Sequence, residues 1–232
     1  MTSSRERMLG RIRSGLEQAR PMLTHEAGRI SHIPPAYVHP AEEDLAQQFA
    51  AELRKLECNT YMYATEQAAL ELVSSLLERY NTQHIIAWDM AQIGLPGLEK
   101  LVAQHQIRNT SIFVGGTQRA AQLQELEPAT VCITGADVAI AESASIVLRG
   151  GPGRPRLASL LAPIYIAIIR KSQLVRGLGE ALMRLQSQHA EDFFRDASTL
   201  TFITGPSRTA DIELTLTLGV HGPREVHAII LG

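Results

Sequence analysis

His84-Ile85-Ile86-Ala87-Trp88 is a short, mostly apolar run without polar alternation, set between a helical pattern over 66–80 and another over 96–105. A strand that is apolar at successive positions is buried on both faces, and such a strand between two helices is the repeating unit of a parallel sheet. The same alternation extends in both directions. Upstream lies a helix over 41–57, with Glu42, Glu43 and Asp44 in its first turn where acids suit the helix dipole, then a strand over 59–63 and Thr65 as the cap of helix 66–80. Downstream, Pro96 opens helix 96–105, a strand comes next over 111–114, and Thr117 opens a helix over 117–125.

After Pro128 short strand candidates crowd together: Val131 to Ile133, Val138 to Ala141, Ser145 to Leu148 and Ile164 to Arg170, with one short helix over 156–161. A last helix over 178–190 precedes strands at Leu200 to Thr204 and Glu225 to Leu231. The expected fold class is α/β, a mainly parallel sheet flanked by helices with a small antiparallel extension at one edge. Before this domain, residues 3–20 read as an amphipathic helix with Met8, Ile12 and Leu16 at helical spacing, stopped by Pro21. Residues 21–40 hold four prolines and His25, His32 and His39, an irregular connector. The expected organisation is an N-terminal helix and proline-rich connector over 1–40 and a single α/β domain over 41–232.

Composition bounds the function. In 232 residues, 45% hydrophobic and 20% charged, there is enough apolar surface for a core, which excludes a disordered chain. Lys+Arg 22 against Asp+Glu 24 leaves a net charge of -2, without the basic excess of a nucleic-acid-coating protein, so an anionic ligand must be met locally. Leu157 to Ile169, the longest apolar segment, is broken by Pro163 and too short to span a bilayer. A cytoplasmic protein with no membrane or nucleic-acid partner is expected. Cys58 and Cys132 lie far apart in apolar contexts, which reads as two buried reduced thiols rather than a cluster or zinc motif. The histidines include no His-Glu-x-x-His, and no metal site is expected.

The densest polar segment is Thr204-Gly205-Pro206-Ser207-Arg208-Thr209-Ala210-Asp211-Ile212-Glu213, directly after a strand. Gly205 lets the backbone turn sharply, Ser207 and Thr209 offer hydroxyls, and Arg208 offers a planar fork for a carboxylate or phosphate. Asp211 and Glu213 repel a bare anion unless they meet ligand hydroxyls, pair with Arg208 or cap the next helix; a capped turn explains the segment equally well. His221, between Gly219 and Gly222, is accessible for acid-base work, though a lone turn histidine more often makes one backbone bond. Gly115-Gly116-Thr117, at a strand-to-helix turn, presents backbone amides to an anion, as many such turns do. Arg149 to Arg156 places three arginines among three glycines and two prolines, a basic lid or a solvated hairpin tip. Glu142 comes after a run expected to be buried, where an ionised carboxylate is costly unless hydrogen-bonded or functional, and is the leading acid candidate, the plain alternative being an edge glutamate that faces solvent or holds a loop amide.

Ala141-Glu142-Ser143 before a strand, Leu160-Leu161-Ala162-Pro163 running into Ile164 to Arg170, and Gly205-Pro206-Ser207-Arg208-Thr209-Ala210-Asp211-Ile212-Glu213 through Gly219-Val220-His221-Gly222-Pro223 together resemble the LUD-domain family, within it the lactate-utilisation C proteins. The resemblance covers roughly the last hundred residues, and its final block is the specific one. It implies a fold similar to the sugar-phosphate isomerase and CoA-transferase-like class. It also implies a place in a three-protein cytoplasmic system that oxidises L-lactate to pyruvate. Iron-sulfur clusters are then expected in the partner proteins and no cofactor in this chain; a small carboxylate or phosphate ligand and an oligomer are compatible with it. The family usually has Gly-Thr where this chain has Ala144-Ser145, and the added methyl is expected to narrow the backbone's approach to a ligand.

Three functions are compatible with these residues. The first is a non-redox component of lactate oxidation that binds a small carboxylate or a partner through Arg208 and Glu142. The second is a stand-alone acyl-CoA or sugar-phosphate enzyme using Glu142, with His221 as a further catalytic candidate. The third is a regulatory or assembly protein.

Overall fold

The computed structural model describes residues 4–27, 44–110, 119–189, 197, 199–210 and 216–232. Its main sheet has six strands, β1 (Asn59–Tyr63), β2 (His84–Ala87), β3 (Arg108–Thr110), β4 (Val131–Thr134), β7 (Ile164–Arg170) and β12 (Glu225–Leu231), in the order β1-β12-β7-β4-β2-β3. Every neighbouring pair is parallel. A second sheet, in the order β8-β5-β6-β9, joins β5 (Val138–Ile140), β6 (Ser145–Gly150), β8 (Leu174–Val175) and β9 (Thr199–Ile203). Within it β5 pairs with β6 and β6 with β9 antiparallel, and β5 with β8 parallel. A ribbon of β10 (Arg208–Ala210) and β11 (Leu216–Leu218) completes the strands among the described residues.

Burial explains why the main sheet reads as it does. β2 and β4 are buried at every residue, β7 from Tyr165 to Ile169 and β12 from Val226 to Leu231. Side chains alternate across a strand, so unbroken burial means that both faces are covered. Helix α2 (Leu45–Lys55) packs on β1, α3 (Glu66–Arg79) on β1 and β12, and a 3₁₀ turn over Arg156–Ser159 on β4 and β2. Helices α4 (Met90–Ile93), α5 (Leu98–Gln104) and α6 (Arg119–Leu126) lie in the crossovers, and α7 (Leu178–His189) packs on β5.

Local chemistry sets most boundaries. Asp44 is the N-cap of α2, accepting the N–H of Ala46 at 2.9 Å and of Gln47 at 3.3 Å, while Glu42 and Glu43 lie outside the described residues. Thr65 caps α3 as expected, accepting the N–H of Ala68 at 3.3 Å. α5 opens at Leu98 rather than Pro96, because Gly94 (φ 82) closes α4 and the left-handed Gly97 (φ 92) stands outside the helix as the N-cap of α5. β3 precedes the expected strand over 111–114, which lies outside the described residues.

Internal contacts divide the chain into Met1–Pro35 and Ala36–Gly232. In the first unit, α1 (Ser4–Ala27) runs past Pro21, where the sequence predicts a stop. A proline removes one helical hydrogen bond, and helix formers on both sides, Glu17 to Ala19 and Met22 to Leu23, carry the helix on. Met8, Ile12 and Leu16 are exposed. Among the described residues no helix is long and apolar enough to cross a membrane.

Candidate functional site

Three separate segments meet at the end of the second sheet. The antiparallel register of β6 with β9 pairs Ile146 with Ile203, so Ser145 and Thr204 emerge side by side and their hydroxyls lie 2.7 Å apart. Ser143 Oγ lies 2.9 Å from Ser145 Oγ. From Thr204 the chain turns through Gly205 (φ 86), where a Cβ would come 3.2 Å from Leu56 Cβ, so glycine answers both the left-handed backbone and the close approach. The N–H of Ser207 then donates to Pro223 O at 2.8 Å, and the Ser207 carbonyl accepts the N–H of Gly219 at 2.9 Å. At Gly222 an added Cβ would lie 3.2 Å from Ser207 Cβ, so the turn carrying His221 rests directly on Ser207.

The individual side chains have defined roles in this corner. Glu142 is half-buried, not sealed in apolar surroundings as the preceding run suggests, because the chain turns at Ala141. Its N–H donates to Arg176 O at 3.0 Å, and its Oε1 accepts the N–H of Leu178, the first residue of α7, at 3.4 Å. A carboxylate there complements the helix dipole. Arg208 Nη2 donates to Leu56 O at 2.8 Å and to Glu57 Oε2 at 2.9 Å, tying the ribbon to the turn after α2. Thr209 lies opposite Thr217 in the ribbon, and His221 is exposed. Asp211, Glu213, Gly115, Gly116 and Thr117 lie outside the described residues.

Ala144 corrects one expectation. It is fully buried in the core and sits in the left-handed region (φ 53). Its methyl therefore packs inward rather than narrowing a ligand's approach, and a glycine at this place would answer the left-handed backbone alone.

Cys58 and Cys132 are free and buried, and burial pushes each thiol up to about 11. Arg208 acts against that rise at Cys58, and backbone N–H groups of Ala162, Leu161 and Leu160 act against it at Cys132. Among the described residues no group of three or more His, Cys, Asp or Glu side chains is placed to hold a metal ion.

A second polar cluster joins residues that the sequence presents separately, Asp137 and the Arg149 to Arg156 segment. β2 leads on to β3 on one side of the sheet, whereas β4 leads on to β7 on the other, so the carboxyl ends of β2 and β4 flank a topological switch point. The chain's own loop fills this crevice. Gly153 O accepts the N–H of Asp89 at 2.7 Å, and the Arg154 guanidinium lies 4.6 Å from the centre of the Trp88 ring. Arg154 Nη1 donates to Asp137 Oδ1 and Nε to Gln92 Oε1, both at 2.6 Å, while Asp137 Oδ2 accepts the N–H of Arg149 at 2.7 Å. The Arg149 to Arg156 segment is thus a pinned plug and not a solvated hairpin tip. A Cβ at Gly135 would meet Ile93 O at 2.7 Å, so glycine is required where β4 leaves the sheet beside it. In sequence, Thr134-Gly135-Ala136-Asp137 at the end of β4 stands out by its carboxylate, but not by its partners.

Comparison with known proteins bears on the fold and the family. A solved structure of a DUF162-family protein from Deinococcus radiodurans superposes with a TM-score of 0.59, covering 83% of this chain and 100% of that one at 22% identity, which establishes a shared fold. Lactate utilization protein C of Macrococcus caseolyticus is 32% identical over 192 residues, 81% of this chain and 80% of the relative. The protein of the same name from Geobacillus sp. is 33% identical over 193 residues, 80% and 79% of the two chains. That of Halalkalibacterium halodurans is 35% identical over 153 residues, 66% of this chain and 64% of the relative. The LUD domain profile matches residues 46–231, from the first turn of α2 to the last residue of β12, and takes in all three segments of the corner. The chain belongs to the LUD-domain family.

Proposed function

We propose that the protein acts in lactate utilisation as a component without a redox centre of its own, binding a small carboxylate at the corner of Glu142, Thr204 to Thr209 and His221. The observation that carries this reading is the match to lactate utilization protein C along about four-fifths of both chains in two of the relatives. The corner supports it chemically with several hydroxyls close together, the Arg208 guanidinium beside them being paired with Glu57 at 2.9 Å. Iron-sulfur proteins of the same system are the proposed partners, in the cytoplasm.

Glu142 favours a binding over a covalent role. Its carboxylate oxygen is engaged by the first N–H of α7, which holds charge in place and lowers its readiness to attack an acyl group. The test is genetic: in-frame deletion in the organism encoding the chain, with growth on L-lactate as sole carbon source as the readout. Growth lost on lactate alone, restored by the wild-type gene, is expected; unimpaired growth of the deletion strain on lactate contradicts the reading.

A further inference from the structure

Helix α1 carries a stripe of large apolar side chains bordered by arginines. At about 100° per residue, Met8, Ala19, Ile12, Leu16 and Leu9 fall on an arc roughly 100° wide. Met8, Ile12 and Leu16 are 61%, 50% and 59% exposed, so the stripe is left uncovered. The LUD domain match begins at residue 46, which makes this helix an addition to the shared domain. Gly10 and Gly15 lie inside the helix, and a Cβ built at either meets no neighbour within 4 Å. Neither glycine makes room for a packed element, and both weaken a helix in water. A helix so composed draws its stability from a surface laid against its apolar side.

The charges select that surface. Residues 4–19 hold four arginines, Arg5, Arg7, Arg11 and Arg13, against two glutamates, Glu6 and Glu17. Arg13 lies about 40° beyond Leu9 at one border of the stripe, and Arg11 about 60° beyond Met8 at the other. Arg5 lies within the stripe at its N-terminal end, while Glu6 and Glu17 come further round, past Arg13. A second copy of α1 is a poor occupant. A parallel pair sets Arg5 against Arg5, and an antiparallel pair about the middle of the stripe sets Arg13 against Arg13.

We infer that α1 docks along an anionic lipid surface, its stripe at the acyl boundary and Arg5, Arg11 and Arg13 on lipid phosphates. The planar guanidinium suits a phosphate, and its long stem lets an arginine beside the stripe reach the headgroups while Ile12 and Leu16 go deeper. The want of a spanning segment, on which the expectation of no membrane partner rests, does not bear on a helix lying in the headgroup plane.

The test is co-sedimentation of the full chain with vesicles of phosphatidylglycerol and phosphatidylcholine in equal parts and, separately, of phosphatidylcholine alone, at about 0.1 M salt. Wild type should favour the acidic vesicles roughly tenfold or more, and the preference should shrink as salt is raised. Ile12→Ser with Leu16→Ser leaves every charge in place and should lower partition onto acidic vesicles roughly tenfold or more. Arg11→Gln with Arg13→Gln keeps the stripe and should bring the preference between the two vesicles close to one. Unchanged fluorescence of Trp88, the sole tryptophan, shows the domain intact in both variants. Equal binding of wild type to both vesicles, or binding that survives loss of the stripe, overturns the inference. Binding to neither overturns it as well, and is the result expected of a helix whose occupant is a groove on another protein. None of these outcomes bears on carboxylate binding.

Discussion

Asp137→Ala tests how firmly the Arg149 to Arg156 loop is pinned. The Asp137 side chain is 8% exposed and accepts two short bonds, from Arg149 N–H at 2.7 Å and from Arg154 Nη1 at 2.6 Å. Its removal strands a guanidinium that is 26% exposed over Trp88, with Gln92 as its remaining side-chain hydrogen-bond acceptor in the cluster, and orphans one backbone donor. Breaking a buried ion pair from one side costs about 3 to 5 kcal/mol, and the residual exposure of Arg154 points to the lower end, about 3 kcal/mol. For a domain of this size that corresponds to roughly 6 to 12 °C in Tm. Trp88 is the sole tryptophan and lies directly under Arg154, so its fluorescence in a urea melt reports on this cluster. Arg154→Met keeps aliphatic contact with the indole, and a double-mutant cycle should return a coupling of about 1.5 kcal/mol or more. A loss below about 1 kcal/mol for Asp137→Ala would refute the pinned loop.

Buried groups set three further outcomes. His84, bonded to Thr110 Oγ1 at 2.8 Å, and His227, between the hydroxyls of Tyr61 and Tyr80, are both held below the usual histidine range chiefly by burial; Arg108 adds to the effect at His84, and Glu225 opposes it at His227. The unfolded chain then binds more protons, so stability is full above about pH 6.5 and falls as pH drops below it; urea melts from about pH 7.5 to 5 should show the decline, and His227→Gln should reduce its slope. Neither cysteine should react with a thiol reagent at about pH 8 in the native protein, and both should on unfolding; a native label on Cys58 or Cys132 contradicts their burial. At Ala144, glycine relieves about 1 to 2 kcal/mol of left-handed strain but forfeits about 0.8 kcal/mol of buried methyl and adds about 0.5 to 1 kcal/mol of chain entropy, so Ala144→Gly should stay within about 1 kcal/mol of wild type. Ala144→Val adds a branched side chain to a buried left-handed position and should cost more than about 2 kcal/mol by the same chemical denaturation.

The main sheet was legible because its strands announce themselves locally. Ile164–Arg170 and Glu225–Leu231 were readable to the residue, since each is a nearly unbroken apolar run that only a doubly covered strand tolerates. Thr65 was readable as a cap because that chemistry lies within three residues. β8, at two residues, is too short to carry a pattern, and the ribbon of β10 with β11 hides in a polar segment whose hydroxyls equally suit a capped turn. The corner was half legible: its residues stood out by type, but Ser145 and Thr204 lie 59 positions apart, and only the β6–β9 register brings them together. Arg154 was misread for the same reason. Glycines and prolines around it describe a loop, while the groups that fix it, Trp88, Gln92 and Asp137, arrive from other parts of the chain.

The central claim, that a small carboxylate binds where the three family segments meet, is tested most directly by titrating L-lactate into isotopically labelled protein and following backbone amide chemical shifts. The account predicts saturable shifts confined to Ser143–Ser145, Thr204–Thr209 and His221–Gly222, and little change at Trp88–Gln92, where the chain's own loop fills the switch-point crevice. Saturable shifts centred on Trp88–Gln92 and Asp137, or none at any amide up to millimolar ligand, would contradict it.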